Sequence, residues 1–449
     1  MAGKKLLKVL LPCIGLSLCA PAGAHTIQEA VALAIETGPD MLRQVDRAER
    51  TRQDLKESYG GYLPSVDLTA GYGREDSNNT TTRGVNNNGG SKTLNRREFG
   101  VTARQMLFDG FGVKSDVEGN MSRVRAEALR TEGGAQDIAL NVISFFLDTN
   151  RNKHIMELAK ANLDAHLRIF GQIQKRSEGG IGRKADLDQA EARVAFARSQ
   201  LVAAQANFKD SQSNFQRMTG IPAHGLVDPM VPADALPKTL RSAIAVTINN
   251  NPILRAAVSD VDVSKHKKKS REAAFYPRLD LEVAATNNQN LDGVNGANND
   301  MAAMVRARWN IFTGGQDLAR VKEASWEIQE AQEVRNRAHR EAEEAVRLAW
   351  SFYTGAKANK ANNLQHSLAA ERTRDAYDKQ FNIGQRTLLD LLDSENEVFS
   401  ARTNYTNSKY DELLGSFRIL NVTNQLIDYL GVAMPKVTQM HGGNSLWKD

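Results

Sequence analysis

Asp390 and Asp393 stand three residues apart just beyond Gly384 and Thr387, a spacing that puts both carboxylates on one face of a helix. Two chemistries fit that pattern. Thr387 and Asp390 have the spacing of a capping pair, and acidic groups in a first helical turn complement the helix dipole. Alternatively, carboxylates repeated around a symmetry axis would create a local potential that attracts cations. General acid–base catalysis fits poorly, because no His or Lys is placed beside them by a recognisable motif. The eight histidines are scattered at 25, 154, 166, 224, 266, 339, 366 and 441. None makes the i, i+4 pair of a metalloprotease motif. No catalytic residue, metal or cofactor is expected. The basic run Lys265-His266-Lys267-Lys268-Lys269 reads as a solvated helix face, or as a contact for anionic lipid headgroups.

The elements that must position these residues come in duplicate. Between Pro64 and Pro222, and again between Pro277 and Pro435, the chain has no proline, and the two stretches are equally long. Four prolines crowd into 222–237, the mark of an extended linker. Thr26, Pro39, Pro64 and Asp67 recur with the same spacing as Thr239, Pro252, Pro277 and Asp280. Leu107-Phe108-Asp109-Gly110 is echoed by Ile311-Phe312-Thr313-Gly314, and Ile181-Gly182, Leu187 and Asp188 by Ile383-Gly384, Leu389 and Asp390. Similarity that keeps its order over such a span is an internal duplication. The expected layout is a first repeat at 25–221, a Pro-rich linker at 222–238, a second repeat at 239–434 and a tail at 435–449.

Each repeat opens with an amphipathic helical segment, 26–60 or 239–274. Strands follow. Val66, Leu68, Ala70 and Tyr72 alternate with Ser65, Asp67, Thr69 and Gly71, and Leu279, Leu281 and Val283 with Asp280, Glu282 and Ala284. Period-two alternation gives a sheet one apolar and one polar face. Strands are expected at about 63–73, 98–108, 278–287 and 302–312, the length of a tilted membrane-spanning strand. Long helices are expected at about 113–178, 184–219, 316–380 and 388–430. The seam Leu187, Ala190, Val194, Ala197, Leu201, Ala204, Phe208, Ser211, Phe215, Met218 alternates large and small residues at 3-4 spacing. Such a seam suits antiparallel helical hairpins, with turns at Gly182 and Gly384.

Composition narrows the setting. The chain has 449 residues, 41% hydrophobic and 25% charged, adequate for buried cores in more than one domain. Lys4, Lys5 and Lys8 precede an apolar stretch and Ala22-Gly23-Ala24, so 1–24 reads as a secretory signal peptide cleaved after Ala24. Cys13 and Cys19, the two cysteines, both fall within it; processing as a lipoprotein at Cys19 is the lesser alternative. Without the leader, 55 of the 58 cationic residues face 53 anionic ones. That balance excludes a nucleic-acid binder, which needs a basic excess. Four strands cannot close a membrane barrel, because known barrels start at about eight, and an open edge in lipid is prohibitive. Three chains sharing one barrel would supply twelve strands.

The duplicated strand-pair and hairpin plan, Tyr62-Leu63-Pro64 and Phe275-Tyr276-Pro277 before the strands, and above all the run Phe381-Asn382-Ile383-Gly384-Gln385-Arg386-Thr387-Leu388-Leu389-Asp390-Leu391-Leu392-Asp393-Ser394-Glu395 carry a resemblance. The chain resembles the TolC family of outer-membrane export ducts over about 25–434. The resemblance implies a mainly α protein with a membrane β-barrel. It would be a homotrimer whose 12-stranded barrel, set in outer-membrane lipid, continues into a helical tunnel in the periplasm. Asp390 and Asp393 become carboxylates of a ring at the periplasmic aperture, and Arg386, Asp188 and Phe381 become members of its latch. The turns at Gly182 and Gly384 would meet a periplasmic adaptor and an inner-membrane transporter. A leader read as cleaved, not lipidated, favours type I protein secretion with an ABC transporter. The alternative is multidrug efflux with a proton-driven pump.

Overall fold

The computed structural model describes residues 26–85, 90–180 and 182–439. The leader expected at 1–24, with both cysteines, lies outside the described residues, as does the tail from 440 onward.

Helix α1, Ile27–Thr37, starts at a reciprocal capping box between Thr26 and Glu29, and α2, Pro39–Gly60, starts on Pro39. The opening segment is therefore two helices. A proline tolerates the first helical turn but not the interior, so Pro39 ends one helix and begins the next. Strand β1, Ser65–Ser77, is followed by the short α3, Thr80–Val85, and by β2, Lys92–Phe108. Then come α4, Gly112–Glu178, and α5, Lys184–Thr219. After the linker, α6, Leu240–Asn250, is capped by Thr239, and α7, Pro252–Glu272, by Asn251. Strands β3, Arg278–Gln289, and β4, Ala297–Arg308, lead to α8, Gln316–Asn382, α9, Leu388–Val422, and α10, Leu426–Leu430.

Strand β1 runs on to Ser77, beyond the expected 73, and β4 begins at Ala297, ahead of the expected 302; three further boundaries differ from the sequence expectation for physical reasons. The last strand ends at Arg308, not near 312. Arg308 pairs with Arg278, and the next partner would be Pro277, which has no N–H to give to a ladder. β2 begins at Lys92, not near 98, because the polar run 92–97 pairs with β1 along its whole length. The expected helix 388–430 breaks at Asn424, whose φ of +60° is left-handed. Asn is among the few residues that tolerate that region, and Gln425 N–H closes the turn on the Leu420 carbonyl at 2.8 Å.

The four strands form one antiparallel sheet in the order β1-β2-β3-β4. Register places Leu68 opposite Val101, Val101 opposite Ala285, and Leu281 opposite Val305. Those residues share one apolar face. The other face carries a charged row in which Arg104 and Arg306 approach the Glu282 carboxylate at 3.5 and 3.0 Å. The outer edges of β1 and β4 have no partner strand among the described residues.

α4 and α8 are each 67 residues long, which at 1.5 Å per residue is about 100 Å. α4 packs on α5 and α8 on α9. Along the α5 seam Ala190, Val194, Ala197, Ala204, Ser211 and Phe215 are buried, so small side chains let the helices approach closely. The largest core lies at the waist of the molecule. There Ile143, Phe146 and Leu147 of α4 meet Phe215, Tyr410, Phe417 and Leu420, with linker residues Leu226, Val231 and Leu236 against them. No helix among the described residues is long and apolar enough to cross a membrane.

Candidate functional site

The residues singled out by sequence converge where the two hairpins turn. Gly384 takes a φ of +78°, a conformation open to glycine without a Cβ penalty, and its N–H meets the Phe381 carbonyl at 3.0 Å. Gly182 is required for space instead. A Cβ there would stand 2.8 Å from the Ser177 backbone nitrogen.

The two tips are joined by packing. Phe381, 6% exposed, contributes to a cluster with Ile169 and Ile173 of α4, Ala190 of α5, and Leu388, Leu391 and Leu392 of α9. The Arg176 guanidinium sits 4.7 Å from the Phe381 ring centre, within cation–π range. Phe381 therefore anchors one hairpin on the other from the interior.

Asp390 closes the capping box of α9. The Thr387 hydroxyl and backbone N–H donate to its Oδ2 at 2.8 and 3.3 Å, and the Asp390 N–H donates to Thr387 Oγ1 at 3.2 Å. The Thr387 hydroxyl first, then its N–H, and then the Arg386 charge hold this carboxyl below its ordinary range. Arg386 lies 3.8 Å from Asp390 Oδ2, donates to Gln380 Oε1 at 3.0 Å and stacks 4.2 Å from the Tyr377 ring centre. The helix-start reading of Asp390 is thus realised within one chain.

Asp393 is held differently. It accepts from Arg193 Nη2 of α5 at 2.7 Å, an ion pair that ties the second hairpin to the first. Asp188 occupies the repeat position of Asp390 but is exposed and makes no hydrogen bond or ion pair among the described residues. The reason lies in the sequence: Thr387 corresponds to Ala185, which has no hydroxyl, and α5 starts without a side-chain cap.

Sequence reasoning missed Arg193, Arg176, Tyr377 and Gln380. Only Arg193 leaves a trace, as a cation one hairpin away from an acidic face, and nothing in one dimension aligns the two.

It also missed a second polar cluster at the waist, where the linker is pinned. Asp228 accepts from Asn150 Nδ2 at 2.8 Å, Tyr410 Oη at 2.7 Å and Lys409 Nζ at 2.7 Å. The Tyr410 hydroxyl hydrogen goes to Asp228, so His154 Nδ1, 2.7 Å from Tyr410 Oη, is the donor to that oxygen. Burial pushes Asp228 up, but the three donors and the Lys409 charge outweigh it and hold the carboxyl down. Burial and the Asp228 carboxylate raise Tyr410. A linker residue thus joins α4 of one repeat to α9 of the other. Among the described residues no His, Cys, Asp and Glu group is arranged to hold a metal.

A family model described as "Outer membrane efflux protein" matches residues 30–221 and 243–422. The chain is 26% identical over 338 residues to "Outer membrane efflux protein BepC" of Brucella suis, covering 74% of this chain and 73% of that one. It is 22% identical to "Outer membrane protein TolC" of Vibrio cholerae, covering 93% and 94%. It is also 22% identical to "Alkaline protease secretion protein AprF" of Pseudomonas aeruginosa, covering 93% and 88%. Among solved structures, the Campylobacter jejuni CmeC outer membrane channel superposes with a TM-score of 0.77 at 15% identity, covering 89% of this chain and 86% of that one.

Proposed function

The chain belongs to the outer membrane efflux protein family, a family of transport conduits and not of enzymes, and on that premise we propose that three copies form an export duct for type I protein secretion. The observation that carries the conduit is the four-stranded sheet with its apolar face, its charged opposite face and its two unpaired edges. An open edge in lipid leaves backbone groups without partners, and β4 pairing with β1 of the next copy removes it. Three copies give a barrel of twelve strands, and the long hairpins continue it away from the membrane. A periplasmic adaptor and an inner-membrane ABC transporter would meet the tips at Gly182 and Gly384 and supply the energy.

In this reading Asp390 and Asp393 of three copies line the aperture. In the chain as described each is engaged, Asp390 by Thr387 and Arg386, Asp393 by Arg193. Opening by movement of one hairpin past the other would break the Arg193–Asp393 pair and release carboxylates toward the axis. Arg386, Asp188 and Phe381 are the remaining latch members, with Phe381 acting through packing.

Secretion is supported by full-length similarity to a protein named for protease secretion. Efflux of small molecules with a proton-driven pump is the second reading, favoured by the higher identity to BepC, named an efflux protein. The deciding experiment compares a deletion strain with its parent by quantitative proteomics of culture supernatant and shaved cell surface. Loss of one or a few large proteins is the expected result. An unchanged secretome with increased retention of a fluorescent dye would replace secretion with efflux.

A further inference from the structure

The junction between sheet and helices holds a groove apart from both the tips and the waist. It measures about 610 Å³ and is lined by Phe111, Phe275 and Tyr276 together with two lysines, Lys114 and Lys269, and two carboxylates, Glu118 and Glu272. The three rings are 59%, 47% and 53% exposed. Phe108, opposite Leu279 on the apolar face of the sheet, meets Phe111 edge-on at 5.4 Å. Trp309, continuing the apolar side of β4, donates its indole N–H to the Phe275 carbonyl at 3.1 Å. The groove therefore opens on the lipid side, at an aromatic girdle of the kind that marks a membrane–water interface. It lies at the end of β2 and the start of β3, the middle strands, away from the β1 and β4 edges.

Two features set it apart from ordinary junction packing. Phe111 takes a left-handed φ of +68°, which an L side chain rarely adopts. The repeat places Gly315 at the corresponding position, with a φ of +84°, so glycine serves the same helix start and the Phe111 ring is not needed for the turn. Lys114 likewise corresponds to Leu318. The first repeat alone has converted this corner into an aromatic floor with an ammonium beside it. The two carboxylates of the lining are each beside a lysine, and with Lys268 counted three lysines face two carboxylates, a balance of one positive charge that favours an anion. Glu118 is 3.9 Å from Lys114 and Glu272 is 3.7 Å from Lys268, while Lys269 is exposed and makes no ion pair among the described residues.

We propose that this groove binds an anionic phospholipid of the periplasmic leaflet, its phosphate held between Lys114 and Lys269 and its acyl chains against Phe111, Phe275 and Tyr276. Juxtamembrane lysines recognise anionic headgroups by charge, and aromatic rings at that depth pack along the chains.

The test uses the full-length protein purified in neutral detergent, titrated with dioctanoyl phosphatidylglycerol or dioctanoyl phosphatidylcholine and read by native mass spectrometry. Phosphatidylglycerol is expected to bind roughly thirtyfold more tightly, the scale of two lysines near a charged surface. Lys114→Gln with Lys269→Gln should bring that preference close to unity, and both residues are exposed, so folding is not at stake. Phe111→Gly, the residue the second repeat uses, should weaken both lipids alike. Equal affinity for the two lipids, or a preference that survives the lysine substitutions, would overturn the proposal. Displacement by glycerol phosphate at equal affinity would also overturn it, since the site would then take a phosphate and not a lipid. None of these readouts depends on what the duct carries.

Discussion

Asp390 and Asp393 differ in what must be broken to free them, and that difference makes the aperture reading testable residue by residue. Asp390 is held by local hydrogen bonds within its own helix start, whereas Asp393 depends on Arg193 from another hairpin. Arg193→Gln is therefore expected to increase single-channel conductance, with Arg193→Lys retaining part of the closure; bilayer recording of both variants measures it. Asp390→Ala with Asp393→Ala should weaken blockade by multivalent cations in the same recordings, and unchanged block would sink the ring. The protonation of Asp390 sets a pH dependence. Its carboxyl is held below the ordinary aspartate value of about 3.9, so in an Asp393→Ala background cation block should persist as pH falls through that value. Thr387→Ala removes the first cause of the shift, and block should then fade at higher pH.

At the scale of elements, the tips and the linker are held by different physics. Gly384→Ala forces a side chain into the left-handed region, at a cost of roughly 1–2 kcal/mol. Gly182→Ala brings a Cβ against the Ser177 backbone and should loosen its turn more. Hydrogen exchange at 176–190 and 380–392 should show each loss confined to its own tip. At the waist, Asp228 is lowered in the folded state. The stability it contributes is therefore present above the unfolded value and lost as pH falls through the lower folded one. Asp228→Asn should lower stability at neutral pH and flatten the acid limb, as seen in melting temperature between pH 3 and 7. Tyr410→Phe leaves the Asp228 carboxylate short of a buried donor, at a cost of about 1–3 kcal/mol.

For the whole molecule, the sheet's two faces make opposite demands on a substitution. Leu281→Arg places a charge on the apolar face and should cost about 2–4 kcal/mol near the middle of the membrane, reducing heat-resistant trimer on gels. Ala284→Arg on the same strand faces the other way, opposite Thr102 and Ala302, and should leave assembly intact. Equal effects of the two would contradict the assignment of faces. The duplication explains why one chain has two hairpins, but the repeats are not equivalent. Asp188 has no hydrogen bond or ion pair among the described residues where Asp390 is capped, and Phe111 stands where the second repeat has Gly315. Differences between copies of one ancestral unit are where particular tasks can be placed without disturbing the shared fold.

Sequence alone determined whatever depends on local periodicity. The alternation of Leu68 with Asp67 and Thr69, the small-residue seam of α5, and the Thr387–Asp390 capping pair all follow from spacing of two, of three to four, or of three residues. The duplication was legible because repeats preserve order. Element ends were less legible where a distant partner decides them: Pro277 ends β4 through a neighbouring strand, and β1 draws the polar run 92–97 into β2. Only the tertiary structure placed Arg193 on Asp393, Arg176 over Phe381 and Asp228 between α4 and α9. Those contacts join residues far apart in the chain. Their geometry is set by how one hairpin packs against the other, and no periodicity within either hairpin encodes it.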